Sequence, residues 1–149
     1  MPSSAVPPGF NRILGTDGYD RIFGTPGNDL IFGLGGNDEI FGLGGNDIII
    51  GGAGNDRLLG GSFDRVDGGN DGDDILCGGT GYDQLVGQDG NDQLAGEDGN
   101  DDLHGRLGDD VLLGGSGNDR LIGGPGINTI DSGTGQDICQ DPPVTATAC

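Results

Sequence analysis

Residues 24–50 read GTPGNDLIF, GLGGNDEIF and GLGGNDIII, and this stretch decides the fold. Each nine-residue unit begins with Gly at place one, repeats Gly at place four, carries Asp at place six and has Ile at place eight. The same phase runs from residue 15 to residue 140, which is room for fourteen units without an insertion. A short repeat of this kind is typical of a solenoid, in which each unit packs only against its neighbours.

The residue types within one unit predict a turn followed by a short strand. Gly at places one and four suits positive φ angles, and Asn or Asp at place five suits a turn in which the side chain bonds its own backbone. Places seven to nine are β-prone, so they predict a three-residue strand whose middle side chain faces opposite to its neighbours. Place eight is therefore predicted to face inward.

The composition excludes an ordinary globular core and several classes of partner. The 149 residues include 36 Gly and no Trp, and 32% are hydrophobic. The formal net charge of −19 predicts no binding to nucleic acid or to anionic membranes. The sequence has no apolar run long enough for a membrane span, and residues 1–10 lack the basic start and apolar stretch of a signal peptide. We therefore expect cationic partners.

The units resemble the RTX nonapeptide GGxGxDxUx of hemolysin-type calcium-binding proteins, a family of secreted bacterial toxins, proteases, lipases and adhesins. The resemblance implies an all-β, right-handed parallel β-roll (a β-solenoid) with two parallel sheets of short strands and about seven turns of 18 residues. It also implies Ca²⁺ between stacked loops and a secreted, extracellular protein. We expect residues 1–14 to form an N-terminal cap segment, 15–140 the β-roll and 141–149 a C-terminal tail.

The predicted calcium ligands are the place-six aspartates. Stacked carboxylates repel each other, and Ca²⁺ is a hard cation that takes 6–8 oxygens, so the metal-free roll should be unstable. By the resemblance, each ion takes aspartate carboxylate oxygens and glycine-loop carbonyls from units n and n+2. One side is predicted to carry Asp20, Asp38, Asp56, Asp74, Asp92 and Asp110, and the other Asp29, Asp47, Asp83, Asp101, Asp119 and Asp137.

The unit at 60–68 departs from the pattern, with Phe63 for Gly, Arg65 for Asp and Asp67 at the inward place. One interpretation puts the Arg65 guanidinium where calcium would be, between the loops of Asp47 and Asp83. The other is a bulge into solvent, because an unpaired charge at place eight is costly to bury. We favour a local bulge that leaves Arg65 near one ladder. The gaps on either side of this unit are predicted to lose their metal.

The neutral amide of Asn128 at place six weakens a further site, so we expect about nine to ten Ca²⁺ ions. At the end of the chain, a disulfide between Cys139 and Cys149 would close the roll in an oxidising setting, and two unpaired thiols are the alternative.

The outward ninth places are apolar and predict partner faces or self-association, the alternative being that flanking segments cover them. One sheet is predicted to carry Phe23, Phe41, Leu59, Cys77, Ala95 and Leu113, and the other Phe32, Ile50, Val86 and Ile122.

No constellation of residues predicts an enzyme. His104, the single histidine, lies at an outward place without a Ser, Cys or metal-spaced partner and is predicted to be a solvated surface residue. The sequence therefore predicts a calcium-binding module that folds on binding several ions and serves as a structural or interaction domain. One alternative is a calcium-dependent surface binder, an ice or cell-surface adhesin, although the threonines are too sporadic for an ice-binding row. Another is the calcium module detached from a secreted hydrolase or toxin.

Overall fold

The computed structural model describes residues 7–61 and 72–140, which form fourteen strands and no helix. The strands are β1 Asn11–Leu14, β2 Arg21–Phe23, β3 Asp29–Gly35, β4 Glu39–Leu43, β5 Ile48–Ala53, β6 Arg57–Gly61, β7 Ile75–Gly81, β8 Gln84–Asp89, β9 Gln93–Gly99, β10 Asp102–Leu107, β11 Val111–Ser116, β12 Arg120–Ile122, β13 Thr129–Thr134 and β14 Ile138–Gln140.

These strands make two parallel sheets of seven. The odd-strand sheet runs in the order β1-β3-β5-β7-β9-β11-β13, and the even-strand sheet runs β14-β12-β10-β8-β6-β4-β2. Successive strands alternate between the sheets, so two units complete one coil of the solenoid. The predicted all-β solenoid of two parallel sheets and about seven turns is confirmed. Strand β1 precedes the first unit and pairs with β3, where Ile13 faces Ile31.

The spacing between paired strands reveals an insertion. Ile31 pairs with Ile49, 18 residues later, whereas Leu58 pairs with Leu85, 27 residues later. Gly60 stacks on place one of the preceding coil and Gly72 stacks on place four. Between Gly61 at place two and Gly72 at place four, the sequence therefore has ten residues, 62–71, where a regular unit has one. These ten residues lie outside the described part of the chain.

The predicted uninterrupted repeat is thus wrong, and so is the interpretation that puts a further loop between those of Asp47 and Asp83. The favoured prediction, a local bulge at 60–68, falls mostly on residues outside the described part of the chain. The insertion adds nine residues, the length of one unit, so the phase of the sequence continues across it unchanged. The loop of Asp47 stacks directly on that of Asp74, and the loop of Asp56 on that of Asp83. No rung separates Asp47 from the next aspartate. The position of Arg65 itself lies outside the described residues.

A small apolar cluster of the place-nine residues Phe41, Leu59 and Val86 lies on the even-strand sheet. The main core is a column of side chains between the two sheets, and it consists of the place-eight residues. This confirms that place eight faces inward. Ile13 and Cys139 pack against the column as partly buried residues. The buried members are Ile22, Ile31, Ile40, Ile49, Leu58, Leu76, Leu85, Leu94, Leu103, Leu112, Leu121 and Ile130.

The insertion also changes which residues share an outer face. Cys77, Ala95 and Leu113 belong to the odd-strand sheet with Phe32 and Ile50, because strands after residue 61 exchange sheets relative to the sequence prediction. Val86 and Ile122 belong to the even-strand sheet with Phe23, Phe41 and Leu59. The predicted division of the ninth places between the two sheets is therefore wrong beyond the insertion.

Two cysteines lie in the described part of the chain. Cys139 is in a disulfide, and Cys77 is a free thiol. The predicted partner of Cys139, Cys149, lies outside the described residues.

Candidate metal centre

The place-six aspartates stack into two ladders, one at each edge of the solenoid. In each ladder, the Oδ1 atom of one aspartate accepts a hydrogen bond from the backbone N–H of the place-six residue one coil earlier, as in Asp20 N–H to Asp38 Oδ1 at 2.8 Å. We call them the Asp20 ladder and the Asp29 ladder. The Asp20 ladder contains Asp20, Asp38, Asp56, Asp83, Asp101, Asp119 and Asp137. The Asp29 ladder contains Asp29, Asp47, Asp74, Asp92, Asp110 and Asn128.

The structure therefore brings all twelve predicted aspartates into stacks, but it changes their partners after the insertion. Asp74, Asp92 and Asp110 were predicted to follow Asp56, and they instead follow Asp47. Asp83 follows Asp56. The extra unit between Gly61 and Gly72 exchanges the two edges for everything that comes later in the chain.

The second carboxylate oxygen has a different environment from the first. In the interior of both ladders, Oδ2 is buried and accepts no hydrogen bond from the described residues. This holds for Asp38, Asp47, Asp56, Asp83, Asp101, Asp110 and Asp119. A buried carboxylate oxygen without a donor is costly, so each of these atoms calls for a positively charged partner.

A carbonyl oxygen from the next coil points into the same space as Oδ2. A Cβ atom added to Gly51 would stand 2.5 Å from Oδ2 of Asp56 and 2.7 Å from the carbonyl oxygen of Gly78. The same arrangement recurs one coil later, where a Cβ atom on Gly78 would stand 2.5 Å from Oδ2 of Asp83 and 2.9 Å from the carbonyl oxygen of Gly96. Place one is thus a cradle lined by two oxygens of successive coils.

This geometry corrects the reason for glycine at place one. Positive φ angles occur at places two and four, as at Gly52 and Gly54, and at no place-one glycine in the described residues. Place one excludes a side chain because there is no room for a Cβ atom beside the carboxylate and the carbonyl. The prediction that glycine there serves a left-handed turn is wrong, whereas at place four it is confirmed for most coils.

Burial makes the interior carboxylates hard to ionise. It raises the pKa of Asp47 and of Asp83 to about 7 and the pKa of Asp101 to about 6. The hydrogen bond from the backbone N–H of the preceding coil lowers each pKa, and neighbouring carboxylates raise it further. Burial likewise raises the pKa of Asp38, Asp56, Asp110 and Asp119.

The first rung of each ladder is satisfied by the protein itself. Thr16 donates both its backbone N–H and its hydroxyl to Oδ2 of Asp20, at 2.6 and 2.9 Å. Thr25 does the same for Oδ2 of Asp29, at 2.5 and 3.0 Å. These threonines occupy place two, so the aspartates at the N-terminal end do not need a cation to balance Oδ2.

The last rung of the Asp29 ladder is satisfied in another way. Asn128 accepts the N–H of Asp110 through Oδ1 at 2.9 Å, as an aspartate would, while its Nδ2 donates to the carbonyl oxygen of Gly124 at 2.9 Å. The Nδ2 atom of Asn128 thus takes the place of an aspartate Oδ2 and donates a hydrogen bond to a loop carbonyl, which a carboxylate oxygen cannot do. At interior positions such as Asp47 and Asp83, by contrast, no donor among the described residues reaches Oδ2.

A second ladder of side chains, at place five, was missed by the sequence analysis. The Oδ1 atom of Asn28 accepts the backbone N–H of Asn46 at 2.9 Å, and Asn37 and Asn55 are related in the same way. These residues were predicted to bond their own backbone, and they bond the next coil instead. The Oδ1 atom at place five accepts an N–H of the following coil, and the Oδ1 atom at place six accepts an N–H of the preceding coil. Together the two bonds link each loop to both of its neighbours.

The donor set suits a hard cation. No group of three or more His, Cys, Asp and Glu side chains converges anywhere in residues 7–61 and 72–140. A cation in the cradles would therefore be held mainly by carboxylate oxygens and backbone carbonyls of adjacent coils. Ca²⁺ takes such oxygens in a flexible shell of 6–8 ligands, whereas Mg²⁺ demands a smaller octahedron. Among the divalent cations, the cradles thus fit Ca²⁺ better than Mg²⁺.

His104 is more engaged than the sequence predicted. Its Nε2 atom lies 2.9 Å from Oδ1 of Asp102 and 3.3 Å from Nη1 of Arg120, and 26% of its side chain is exposed. These contacts add an acidic and a basic neighbour to the predicted outward position, and neither neighbour is a Ser or a Cys. The three residues lie on the outer face of the even-strand sheet, away from both ladders.

Comparison with known proteins agrees with the geometry. A family model described as the RTX calcium-binding nonapeptide repeat matches residues 8–40, 32–67, 69–85, 83–112 and 113–139. No curated protein matches the chain. A helix that is long and apolar enough to cross a membrane is absent from the described residues.

Proposed function

The chain belongs to the family of proteins with the RTX calcium-binding nonapeptide repeat, and we propose that it is a module whose folding is switched on by several Ca²⁺ ions. Calcium binding by a structural β-roll is the property of the family. The dependence of folding on the ions, their number and the ligands are our proposals for this chain.

One observation carries the proposal, namely the buried Oδ2 atoms of aspartates such as Asp47, Asp56 and Asp83. These atoms receive no hydrogen bond from the described part of the chain, and at Asp56 and Asp83 a carbonyl oxygen of the next coil points into the same space. Without a cation, each ladder concentrates negative charge in a site shielded from water. The raised pKa of Asp47 and Asp83 expresses the same cost. Divalent ions remove that cost and connect successive coils, so ion binding and folding are coupled.

The ladders support about nine sites. We propose one ion in each space between the place-six residues of two successive coils. The spaces after Asp20 and Asp29 are left out, because the place-two threonine of the same unit already donates to Oδ2 of each. The aspartates that begin the remaining spaces are Asp38, Asp56, Asp83, Asp101 and Asp119 in one ladder and Asp47, Asp74, Asp92 and Asp110 in the other. Nine divalent ions nearly balance the net charge of −19. Asp20, Asp29 and Asp137 remain ligand candidates at the ends.

We propose an extracellular setting and a non-catalytic, structural role for the module. Extracellular calcium sites bind at roughly 10⁻⁴–10⁻³ M, so the chain would stay unfolded in a cell and fold outside it. The disulfide at Cys139 supports an oxidising compartment. Residues 15–140 would be the calcium-binding part, with 1–14 and 141–149 as flanks.

Circular dichroism during a calcium titration tests the proposal. We expect a coil spectrum in the metal-free chain and a β spectrum in millimolar Ca²⁺, with Mg²⁺ at the same concentration as the control for ionic strength. Calorimetry should give about nine ions per chain. A β-rich spectrum without metal that Ca²⁺ leaves unchanged would overturn the proposal.

A further inference from the structure

The two outer faces of the solenoid differ sharply in charge. On the even-strand sheet, place seven carries a charged ladder in which Arg21 and Arg57 both pair with Glu39, at 3.0 and 2.7 Å. Further along the same face, Arg120 pairs with Asp102 at 3.0 Å. Charges of both signs therefore occupy place seven of this face, while its place-nine residues Phe41, Leu59 and Val86 are buried.

The odd-strand sheet carries no charged side chain at places seven and nine of its five central strands. Its outward side chains at places seven and nine are Leu30, Phe32, Ile48, Ile50, Ile75, Cys77, Gln93, Ala95, Val111 and Leu113. Ile75 is 37% exposed and Leu113 44% exposed. A flat apolar face of this kind, on a chain of net charge −19, is typical of an interface.

We infer that this face binds the same face of a second copy of the chain, in a dimer whose twofold axis runs parallel to the strands over β7. Strand β7 is the central strand of the seven. Rotation about that axis lays β1 over β13 of the second copy and β3 over its β11, and it keeps place nine opposite place nine. Two sheets packed in this way lie about 10 Å apart, within the usual range of angles for aligned packing.

Shape favours this axis over the other twofold, which runs across the strands and lays each strand over its own copy. The face is high where Phe32 and Ile50 stand and low around Ala95, where a shallow groove runs between Ile75 and Leu113. The axis over β7 sets Ile50 against Ala95 and Phe32 against Leu113. The alternative axis sets the ridge on the ridge and the groove on the groove.

Charge favours the same axis. Arg12 on β1 and Asp131 on β13 are exposed at opposite ends of the face. The Arg12 guanidinium already leans toward place nine, 5.7 Å from the centre of the Phe32 ring. In the proposed dimer each Arg12 meets an Asp131, and in the alternative Arg12 meets Arg12 and Asp131 meets Asp131.

The size of the face predicts a reversible dimer. Seven strands about 4.8 Å apart make it roughly 30 Å long, and only two outward side chains per strand give it width. The buried area is at the low end for specific complexes. Association should therefore depend on concentration, with monomer at dilution and dimer at high concentration.

Sedimentation equilibrium of the full chain in millimolar Ca²⁺ tests the inference. We expect the mass to rise with concentration from 15.0 kDa to twice that value. Ile50→Lys places a charge in the interface and should weaken association at least tenfold. Ile122→Lys is the matched control, because Ile122 is a half-buried place-nine residue of the other sheet, and it should leave association unchanged.

A charge exchange identifies the axis. Arg12→Asp and Asp131→Arg should each weaken association severalfold, and the double variant should restore it, because opposite charges then meet again. Failure of the double variant to recover would overturn the proposed axis. In the dimer the two Cys77 thiols face each other, so a short bismaleimide should cross-link the wild type, and Cys77→Ser should abolish the product.

Circular dichroism of every variant in Ca²⁺ separates folding from association. A chain that folds with Ca²⁺ and stays monomeric at all concentrations would overturn the dimer and leave the proposed function intact. Equal weakening by Ile50→Lys and Ile122→Lys would show that the odd-strand face is not the interface.

Discussion

Places one and two of the repeat, although adjacent, make opposite demands on a residue. Place one has no positive φ in the described residues, but it has no room for a Cβ atom, as at Gly87, where the carboxylate of Asp92 fills the space. Place two admits a side chain in several coils, but there the backbone is at positive φ. Five non-glycine residues stand there with φ between 78° and 91°, namely Leu34, Leu43, Gln88, Glu97 and Arg106. Left-handed backbone costs such residues about 1 kcal/mol or more.

Exchanging the two kinds of residue should therefore change stability in opposite directions. We expect Gln88→Gly to raise the free energy of unfolding in Ca²⁺ by up to about 1 kcal/mol, because it relieves the positive φ. Gly87→Ala should lower it by about 1–3 kcal/mol, because the methyl group displaces a carboxylate. Urea denaturation followed by circular dichroism measures both. Similar losses for the two variants would contradict the assignment of the places.

The second residue-scale prediction uses Asn128 as a guide. An asparagine at an interior rung should donate its amide hydrogen to a loop carbonyl, as Asn128 does to Gly124. We therefore expect Asp101→Asn to stabilise the metal-free chain by about 1 kcal/mol, and to bind fewer Ca²⁺ ions. The same change at Asp137, at the end of its ladder, is the control and should lose less calcium. Calorimetry and metal-free denaturation measure the two effects. A metal-free chain destabilised by Asp101→Asn would show that Oδ2 already has a good partner.

At the scale of the elements, the insertion between β6 and β7 is the largest departure from the repeat. Removing residues 63–71 would join Ser62 to Gly72 and leave GGSGDDILC, a regular unit. The stacking of Asp47 on Asp74 and of Asp56 on Asp83 does not use the removed residues. The coil is thus already continuous on both sides of the insertion.

We expect the deletion of residues 63–71 to retain the β spectrum and the full number of calcium ions. Shortening the connection should raise the free energy of unfolding by about 1 kcal/mol, since loop closure becomes less costly. Deletion of residues 87–95 is a control of equal length, and it removes a rung and strand β9, so it should lose calcium and stability. Calorimetry and urea denaturation compare the two. Equal calcium loss in both deletions would show that the inserted segment holds ions.

The repeat explains both the success and the failure of prediction from the sequence. Ile31 and Leu94 face inward because place eight is fixed by the alternation of a short strand, so the core could be read off the repeat. Asp74 was assigned to the wrong ladder because the insertion is one unit long and keeps the phase. Counting by nine cannot distinguish a rung from a loop of the same length. The carbonyl beside Oδ2 of Asp56 also depends on the register of successive coils, which no single unit specifies.

At the scale of the whole molecule, the solenoid is a balance between one apolar column and two acidic ladders. The column supplies one Ile or Leu per unit, and each such side chain contributes about 1.5–3 kcal/mol on burial. The ladders oppose it, because the Oδ2 atoms of interior carboxylates such as Asp47 and Asp83 lose water and receive no hydrogen bond from the described residues. Protons and Ca²⁺ are the two agents that neutralise these carboxylates, and they exclude each other. Stability should therefore depend on pH with opposite signs in the presence and absence of calcium.

The metal-free chain should become more stable on acidification. Asp47 and Asp83 have a pKa of about 7 when folded, against the ordinary value of 3.8. Between these values the folded chain binds more protons than the unfolded chain, so the free energy of unfolding rises as the pH falls from about 7 to about 4. Below that range both states are protonated and the gain is complete.

In millimolar Ca²⁺ we expect the reverse, because protons compete with the ions for the same carboxylates and release them. The free energy of unfolding should fall over the same pH range, and the two curves should converge near pH 4, where Asp47 and Asp83 are protonated in the folded chain and no longer hold ions. Urea denaturation between about pH 4 and pH 8, with metal removed by a chelating resin in one series, measures both curves. Gln88→Gly, which changes no charge, is the control and should shift both curves without altering their slopes. A metal-free curve that falls on acidification would mean that the ladders are stabilised as carboxylates by groups of the protein, and the proposed need for calcium would then be wrong.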